Sequence, residues 1–270
     1  MNRKERIFKR LNEHYRHLES KGFEIVAMFV QGSQNYNNDV YDDEYTSDID
    51  TKAIILPTFE DFVKEVAPTS TTLILDNDEH IDVKDVRVMF DVLSKSNVNY
   101  LEVLFTQFKI VNPKYEDLIA PLFENSERLA MADKKQLINC IAGVAKQKYC
   151  ALKHPYPTIV DKINKFGYDP KQLNHIIRMN YFLKRILSGE SFKSSLDEGK
   201  RKEYLIAVKK GLYSLEDAEK LAFEFDNDTS RLKENALANN EFIVDPFASN
   251  LYKDVKYFIL KRWFKEQVTK

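Results

Sequence analysis

Two stretches of sequence decide the fold of this chain: residues 23–33, FEIVAMFVQGS, and residues 47–56, SDIDTKAIIL. Each contains a compact apolar run rich in β-branched and aromatic residues, which predicts buried strands over residues 23–30 and 48–56. Polar residues follow the first run and open the second. The two stretches together predict a sheet with one polar edge.

The polar start of the second predicted strand is Asp48-Ile49-Asp50. Because successive strand side chains alternate between faces, both carboxylates point one way while Ile49 turns into the core. Like charges held this close repel unless a cation neutralises them, so the pair favours a divalent metal with oxygen ligands. The simpler interpretation is solvated surface charge.

The turn Gly32-Ser33 and a third predicted strand supply the other parts of this site. A residue without a Cβ lets the backbone approach a phosphate, and the serine hydroxyl and the amides can donate hydrogen bonds to it. The third strand covers residues 80–84, HIDVK, in which Asp82 lies between two apolar residues. A third carboxylate would complete a two-metal centre. We assign this role to Asp82; the alternative is Asp85, the predicted cap of the next helix.

These segments resemble the DNA polymerase β-like nucleotidyltransferase superfamily, whose pattern is a hydrophobic residue, G[GS], a spacer and [DE]h[DE]. Four positions of this chain match it: Gly32, Ser33, Asp48 and Asp50. Asp82 lies where the superfamily usually places its third acid. The chain departs from the pattern at Gln31, which replaces the hydrophobic residue, and in a longer spacer of 14 residues, 34–47. The resemblance implies a small, palm-like mixed sheet.

Beyond residue 113 the strand signals almost vanish. Apolar residues at helical spacing predict a helix over residues 4–21, short helices beginning near residues 58, 85 and 101, and later helices at 114–123, 127–152, 170–188, 200–211, 214–225 and 248–268. The predicted fold class is therefore α+β. It has a mixed-sheet nucleotidyltransferase domain over residues 1–125 and an all-helical domain over residues 126–270.

The formal net charge of -1 hides an acidic half and a basic half. Residues 1–150 carry a net charge of -6 and residues 151–270 carry +5, which suggests a cation site and an anion site.

No stretch approaches the length of a membrane span and no secretory signal opens the chain, so the expected location is cytoplasmic, without a membrane partner. Neither GxGxxG nor GxxxxGK[ST] occurs, which excludes two common nucleotide-binding loops.

The predicted helix at 170–188 supplies the anion site. Asp169 before Pro170 is a good start signal, and Lys171, His175 and Arg178 lie within about 60° of one another around the helix. This face presents two cations and an imidazole to phosphates. A solvated helix face is the alternative interpretation.

The same helix is similar to one branch of the superfamily, the RNA-repair-associated polymerase β-like nucleotidyltransferases of bacteria and phages. The similar segments are GYDPK at 167–171, HxxR at 175–178, LSGE at 187–190 and NVNYLEVLF at 97–105. The branch usually has Gly-Ser-x-x-Tyr-Gly, of which this chain keeps Tyr36 and replaces the last glycine with Asn37.

The resemblance implies a transferase that moves a nucleoside monophosphate from an NTP to a hydroxyl and releases pyrophosphate. Asp48, Asp50 and Asp82 would be catalytic and would bind two magnesium or manganese ions, while Gly32, Ser33, Lys171, His175 and Arg178 would bind the nucleotide. An RNA 3′ end is the acceptor that the branch implies, and a protein hydroxyl, as in AMPylation, is the alternative. A catalytically inactive nucleotide- or RNA-binding module stays open, whereas a purely structural protein leaves the clustered acids and bases unexplained.

Overall fold

The computed structural model describes residues 1–157 and 159–269, which form two compact units. Unit 1 contains residues 1–35, 48–132 and those from 245 onward; unit 2 contains residues 36–47 and 133–244. The units therefore differ from the predicted continuous segments, 1–125 and 126–270. Residues 36–47 of the spacer after Gly32-Ser33 group with the helical unit, and the last helix groups with the sheet unit.

Unit 1 is built on a five-stranded mixed sheet. Its strands are β1 Glu24–Val30, β2 Thr51–Leu56, β3 Ser70–Ile74, β4 His80–Asp85 and β5 Lys109–Val111. They lie in the order β3-β4-β2-β1-β5, with β2 parallel to β4 and the other neighbouring pairs antiparallel. The α+β class is thus confirmed, and the register places Lys52 of β2 opposite Asp82 of β4.

Seven helices complete unit 1: α1 Arg3–Ser20, α2 Phe59–Val63, α3 Val86–Leu93, α4 Val98–Leu101, α5 Glu116–Glu124, α6 Ser126–Ala130 and α13 Pro246–Thr269. The apolar stripe of α1, which includes Ile7, Leu11 and Leu18, is fully buried against the strands. Helix α13 packs on α3, α5 and α6, which explains why it belongs with the sheet.

In its described residues, unit 2 contains six α-helices: α7 Lys134–Ala151, α8 Val160–Phe166, α9 Pro170–Leu187, α10 Phe192–Leu196, α11 Lys202–Lys209 and α12 Leu215–Asn239. Helix α9 lies at its centre and packs against α7, α10, α11 and α12. Leu173, Ile176 and Ile177 of α9 are completely buried in this core. None of the helices in the described parts of the chain is both long enough and apolar enough to cross a membrane.

Several predicted elements need correction. The second strand begins at Thr51, so Asp48 and Asp50 lie just before it. Strands β3 and β5 were not predicted, because β3 is mostly exposed and polar and β5 has only three residues. The predicted helix 127–152 is two helices, α6 and α7, because the side chain of Asp133 caps a new helix.

Candidate functional site

The first part of the candidate site is the turn that follows β1. Gly32 has a φ of 81°, a left-handed conformation that favours glycine, and a 3₁₀ turn runs over Gly32–Asn35. The Gly32 amide donates a hydrogen bond of 3.1 Å to the Glu102 carboxylate, which is buried. The structure therefore joins the Gly-Ser turn to the NVNYLEVLF segment. Because the Gly32 amide already donates to Glu102, half-buried Ser33 remains as the residue on this turn that is predicted to donate a hydrogen bond to a phosphate.

This turn is hydrogen-bonded directly to the acidic segment. The Gln31 amide donates to the Asp50 carbonyl at 3.0 Å, and the Gln34 side-chain amide donates to the Asp48 carbonyl at 3.0 Å. Ile49, between the two aspartates, is buried in the core, whereas Asp48 is exposed and Asp50 is partly exposed. The predicted alternation of the three side chains therefore holds, although the strand begins at Thr51, three residues later than predicted.

Glu79 fixes the backbone of the acidic segment. One of its carboxylate oxygens accepts a hydrogen bond from the Ile49 amide at 3.2 Å, and the other accepts from Arg10 and His14 of α1. Burial opposes ionisation of this carboxyl, but the hydrogen bonds from His14, Arg10 and Asn77 prevail and lower the pKa of Glu79 to about 2. Glu79 is therefore a carboxylate at neutral pH and a positioning residue that the sequence analysis missed.

Asp50 is held by the residue that follows Glu79. Its Oδ1 atom accepts a hydrogen bond of 2.8 Å from the His80 amide and lies 3.3 Å from Nδ1 of the same histidine. One carboxylate oxygen of Asp50 is thus fixed by the start of β4. The arrangement restricts the side chain while leaving part of it exposed to solvent.

Asp82 lies among cationic side chains. Its Oδ2 atom is 3.1 Å from Nζ of Lys52 and accepts a 2.7 Å hydrogen bond from the Tyr100 hydroxyl, while its Oδ1 atom is 2.8 Å from Nζ of Lys84. Burial opposes the charge of Asp82, yet Lys52, Lys84 and Tyr100 lower the pKa of this carboxyl. Asp82 is accordingly ionised, buried and compensated by two lysines.

The predicted group of three carboxylates does not form. Across residues 1–157 and 159–269, no cluster of three or more acidic, histidine or cysteine side chains is arranged to hold a metal ion. The alternative, Asp85, caps α3 by accepting a hydrogen bond from the Arg87 amide and also pairs with the Arg87 guanidinium. The sequence-based assignment of Asp85 as a helix cap is confirmed.

The positions of Lys52 and Lys84 beside the acidic residues could have been predicted from their spacing in the sequence. Each lies two residues after an aspartate, Lys52 after Asp50 and Lys84 after Asp82, and a spacing of two on a strand places side chains on one face. Tyr100 had no comparable signal, because its approach to Asp82 depends on how α4 packs.

In unit 2, the residues of the predicted anion site lie together on α9. Arg178 is 4% exposed, its guanidinium carbon lies 3.7 Å from the centre of the Tyr36 ring, and its Nε atom lies 3.8 Å from the Glu198 carboxylate. The Glu198 amide in turn donates to the Tyr36 carbonyl. Arg178 thus anchors the tyrosine of the Gly-Ser-x-x-Tyr motif, a structural part that the sequence analysis did not assign to it.

His175 lies beside this arginine. Burial, together with the nearby charges of Arg178, Lys148, Lys171 and Lys209, holds the pKa of the His175 imidazole well below its ordinary value of 6.5. The imidazole is therefore neutral at pH 7. Lys148 and Lys209, from α7 and α11, join the predicted cations, and the sequence could not place them there because they come from different helices.

A pH titration checks this electrostatic arrangement. Because the folded protein keeps His175 neutral while the unfolded chain takes up a proton near pH 6.5, we expect the stability of unit 2 to fall as pH decreases below 6.5. In an NMR titration, the His175 signal, assigned by its loss in His175→Gln, should have its midpoint well below 6.5. A midpoint at or above 6.5 would contradict the cationic surroundings.

Comparison with known proteins adds no assignment. No protein-family model matches the sequence, and no curated protein is significantly similar to it. Functional proposals therefore depend on the motif residues and on the contacts described above.

Proposed function

We propose that this chain is a metal-dependent nucleotidyltransferase that moves a nucleoside monophosphate from an NTP to a hydroxyl and releases pyrophosphate. The observation that carries the proposal is that Gln31 and Gln34, the residues on either side of Gly32-Ser33, donate hydrogen bonds to the carbonyls of Asp50 and Asp48. The turn proposed to bind phosphate and the pair of carboxylates thereby lie beside each other at one end of β1 and β2. The resemblance to the polymerase β-like superfamily, stated from the same residues, supports the same activity.

Asp48 and Asp50 fit one magnesium or manganese ion. Both present carboxylate oxygens to solvent at the start of β2, and magnesium commonly binds one or two carboxylates and completes its shell with substrate phosphates and water. Such an ion would neutralise the triphosphate and stabilise the charge that develops on the leaving pyrophosphate. Binding of the predicted second ion through Asp82 requires that carboxylate to release Lys52 and Lys84.

Other side chains bind phosphate or position the acidic segment. Ser33 donates a hydrogen bond to a phosphate oxygen, and Glu79 and His80 keep the acidic segment in place. Lys171 and His175 of α9 remain the predicted phosphate ligands of unit 2. Arg178 supports them from its buried position beside Tyr36.

An RNA 3′ end is the proposed acceptor. The basic second half of the chain favours a polyanion, although its net charge of +5 over residues 151–270 is modest. A protein hydroxyl, as in AMPylation, is the alternative acceptor. We expect the reaction itself to take place in the cytoplasm.

One observation favours a second candidate function, a nucleotide-binding module that does not transfer. Asp82, the third catalytic acid of the resemblance, is paired with Lys52 and Lys84. If these lysines permanently replace a metal ion, the chain would bind NTP without activating an acceptor.

A transfer assay separates the candidates. Purified protein is incubated with magnesium or manganese, each of the four α-labelled NTPs, and single-stranded RNA ending in a 3′ hydroxyl. We expect label on the RNA and one pyrophosphate for each nucleotide transferred, with no label on a matched RNA that ends in a 3′ phosphate. Label on proteins but not on RNA would favour the alternative acceptor, and NTP binding without labelling of either would favour the non-transferring module.

A further inference from the structure

Unit 2 contains a cavity of about 640 Å³ between the segment at 44–45, α8, the start of α9 and the end of α11. Five lysines and three carboxylates line it: Lys162, Lys165, Lys171, Lys209 and Lys210, with Glu44, Asp161 and Asp169. A volume of this size is within the range of small-ligand sites. The lysines outnumber the carboxylates by five to three, so the lining favours an anion over a cation.

Three of these lysines have described interactions with charged or hydrogen-bonding protein groups. Lys210 forms ion pairs with Asp42 and Glu44, Lys209 donates a 2.6 Å hydrogen bond to the Asn38 carbonyl, and Lys171 contributes to the cations around His175. Lys162 and Lys165 are both exposed on α8, and in the described parts of the chain neither has a carboxylate within ion-pair distance. The Nζ atom of Lys165 lies 4.8 Å from the centre of the neighbouring Phe166 ring. These two ammonium groups are therefore available to an anion.

The cavity also contains aromatic surface. Tyr45 and Phe166 line it, and both rings are half-buried. Phe166 is held in place because its ring packs directly over Gly211, where even a Cβ atom would lie 2.5 Å from it. Nucleobases stack on aromatic rings of this kind with little dependence on sequence. Lysines together with fixed aromatic rings favour a nucleic-acid strand over a simple inorganic anion.

We infer that this cavity binds a single-stranded nucleic acid, with backbone phosphates on Lys162 and Lys165 and a base against Phe166. The inference rests on the proposed function, for which it supplies the binding site of the RNA acceptor. Binding at this site requires neither the metal ion nor the NTP. Lysine ammonium groups act here as point charges, which neutralise phosphates without reading the base sequence.

A binding experiment without metal or NTP tests the site. A fluorescein-labelled single-stranded RNA of 12 nucleotides is titrated with wild-type protein, Lys162→Glu/Lys165→Glu and the control Lys134→Glu/Lys135→Glu in EDTA, with fluorescence anisotropy as the readout. The control reverses two exposed lysines at the start of α7, about 20 Å along that helix from Lys148. Circular dichroism verifies that each variant is folded.

We expect the α8 double variant to bind the RNA at least about tenfold more weakly, with a salt dependence reduced by about 1.4 in log–log slope. The α7 control should change affinity less than about twofold, as two charges outside the site would. Unchanged affinity in the α8 variant, or equal losses in both variants, would overturn the inference. Tighter binding of a phosphorylated peptide than of the RNA, lost in the α8 variant, would also overturn nucleic acid as the ligand.

RNA binding and nucleotide transfer, both measured on the wild-type protein and on Lys162→Glu/Lys165→Glu, distinguish failure of this site from failure of the proposed function. Wild-type protein that binds RNA through α8 but labels no acceptor would leave the site in place and reject the transferase activity. Transfer to RNA that is undiminished in Lys162→Glu/Lys165→Glu would support the transferase and reject the site.

Discussion

Asp50→Asn is expected to reduce nucleotide transfer at least about 1,000-fold, because losing about 4 kcal/mol of metal-mediated charge stabilisation corresponds to that factor. Asparagine keeps the side-chain oxygen that accepts from the His80 amide, so the local backbone should persist. The substitution removes only the charge that an ion would need. Single-turnover transfer of labelled NMP to RNA, at saturating RNA, measures the effect.

The matched control for this substitution is Asp78→Asn. Asp78 lies in the exposed turn before β4 with a φ of 62°, a conformation that asparagine adopts as readily as aspartate. The control also removes one negative charge from unit 1, so any general electrostatic effect appears in both proteins. Undiminished transfer by Asp50→Asn would reject the assigned metal site, and an equal loss in Asp78→Asn would show that the effect is not specific.

Asp82→Asn is expected to destabilise unit 1 by about 3 kcal/mol, because it leaves the buried Lys52 ammonium without its carboxylate. Lys52 is 5% exposed and opposes Asp82 in the β2–β4 register. The second substitution Lys52→Met removes the uncompensated charge, so the double variant should regain most of the lost stability. Urea unfolding in EDTA, followed by fluorescence, measures the changes without any contribution from metal.

The chain suits this measurement because its one tryptophan, Trp263, is buried in α13 of unit 1. Lys64→Met, which breaks an exposed pair with Glu60, serves as the control and should cost less than about 1 kcal/mol. A loss below about 1 kcal/mol in Asp82→Asn, or no recovery in the double variant, would contradict the ion-pair role of Asp82. Stability that depends on Asp82 only when magnesium is present would instead indicate a metal ligand.

The strongly patterned elements could be predicted from the sequence. The apolar runs of β1 and β2 and the capped helix α9 were found because local periodicity and capping residues determine them. Strand β3 was missed because it is a polar edge strand whose formation depends on pairing with β4. Such pairing depends on tertiary context, which no local pattern contains.

The candidate site could likewise be predicted only in part. Asp48, Asp50 and Gly32 could be selected from residue type and spacing, and the structure connects their segments by hydrogen bonds. The partners of Asp82 and the cations around His175 could not be selected, because they come from separate elements of the fold. Sequence patterns identified candidate groups, whereas the charge balance around each group required three-dimensional positions.

The discontinuous composition of unit 1 has a consequence for synthesis on the ribosome. Its sheet is encoded before residue 112, but α13, which packs on α3, α5 and α6, is encoded after residue 245. The residues of unit 2 must therefore be translated before unit 1 can be completed. Domains usually fold in order as they emerge from the ribosome. Here the acidic segment Asp48–Asp50 emerges early, but unit 1, to which it belongs, can be completed only after α13 has been translated.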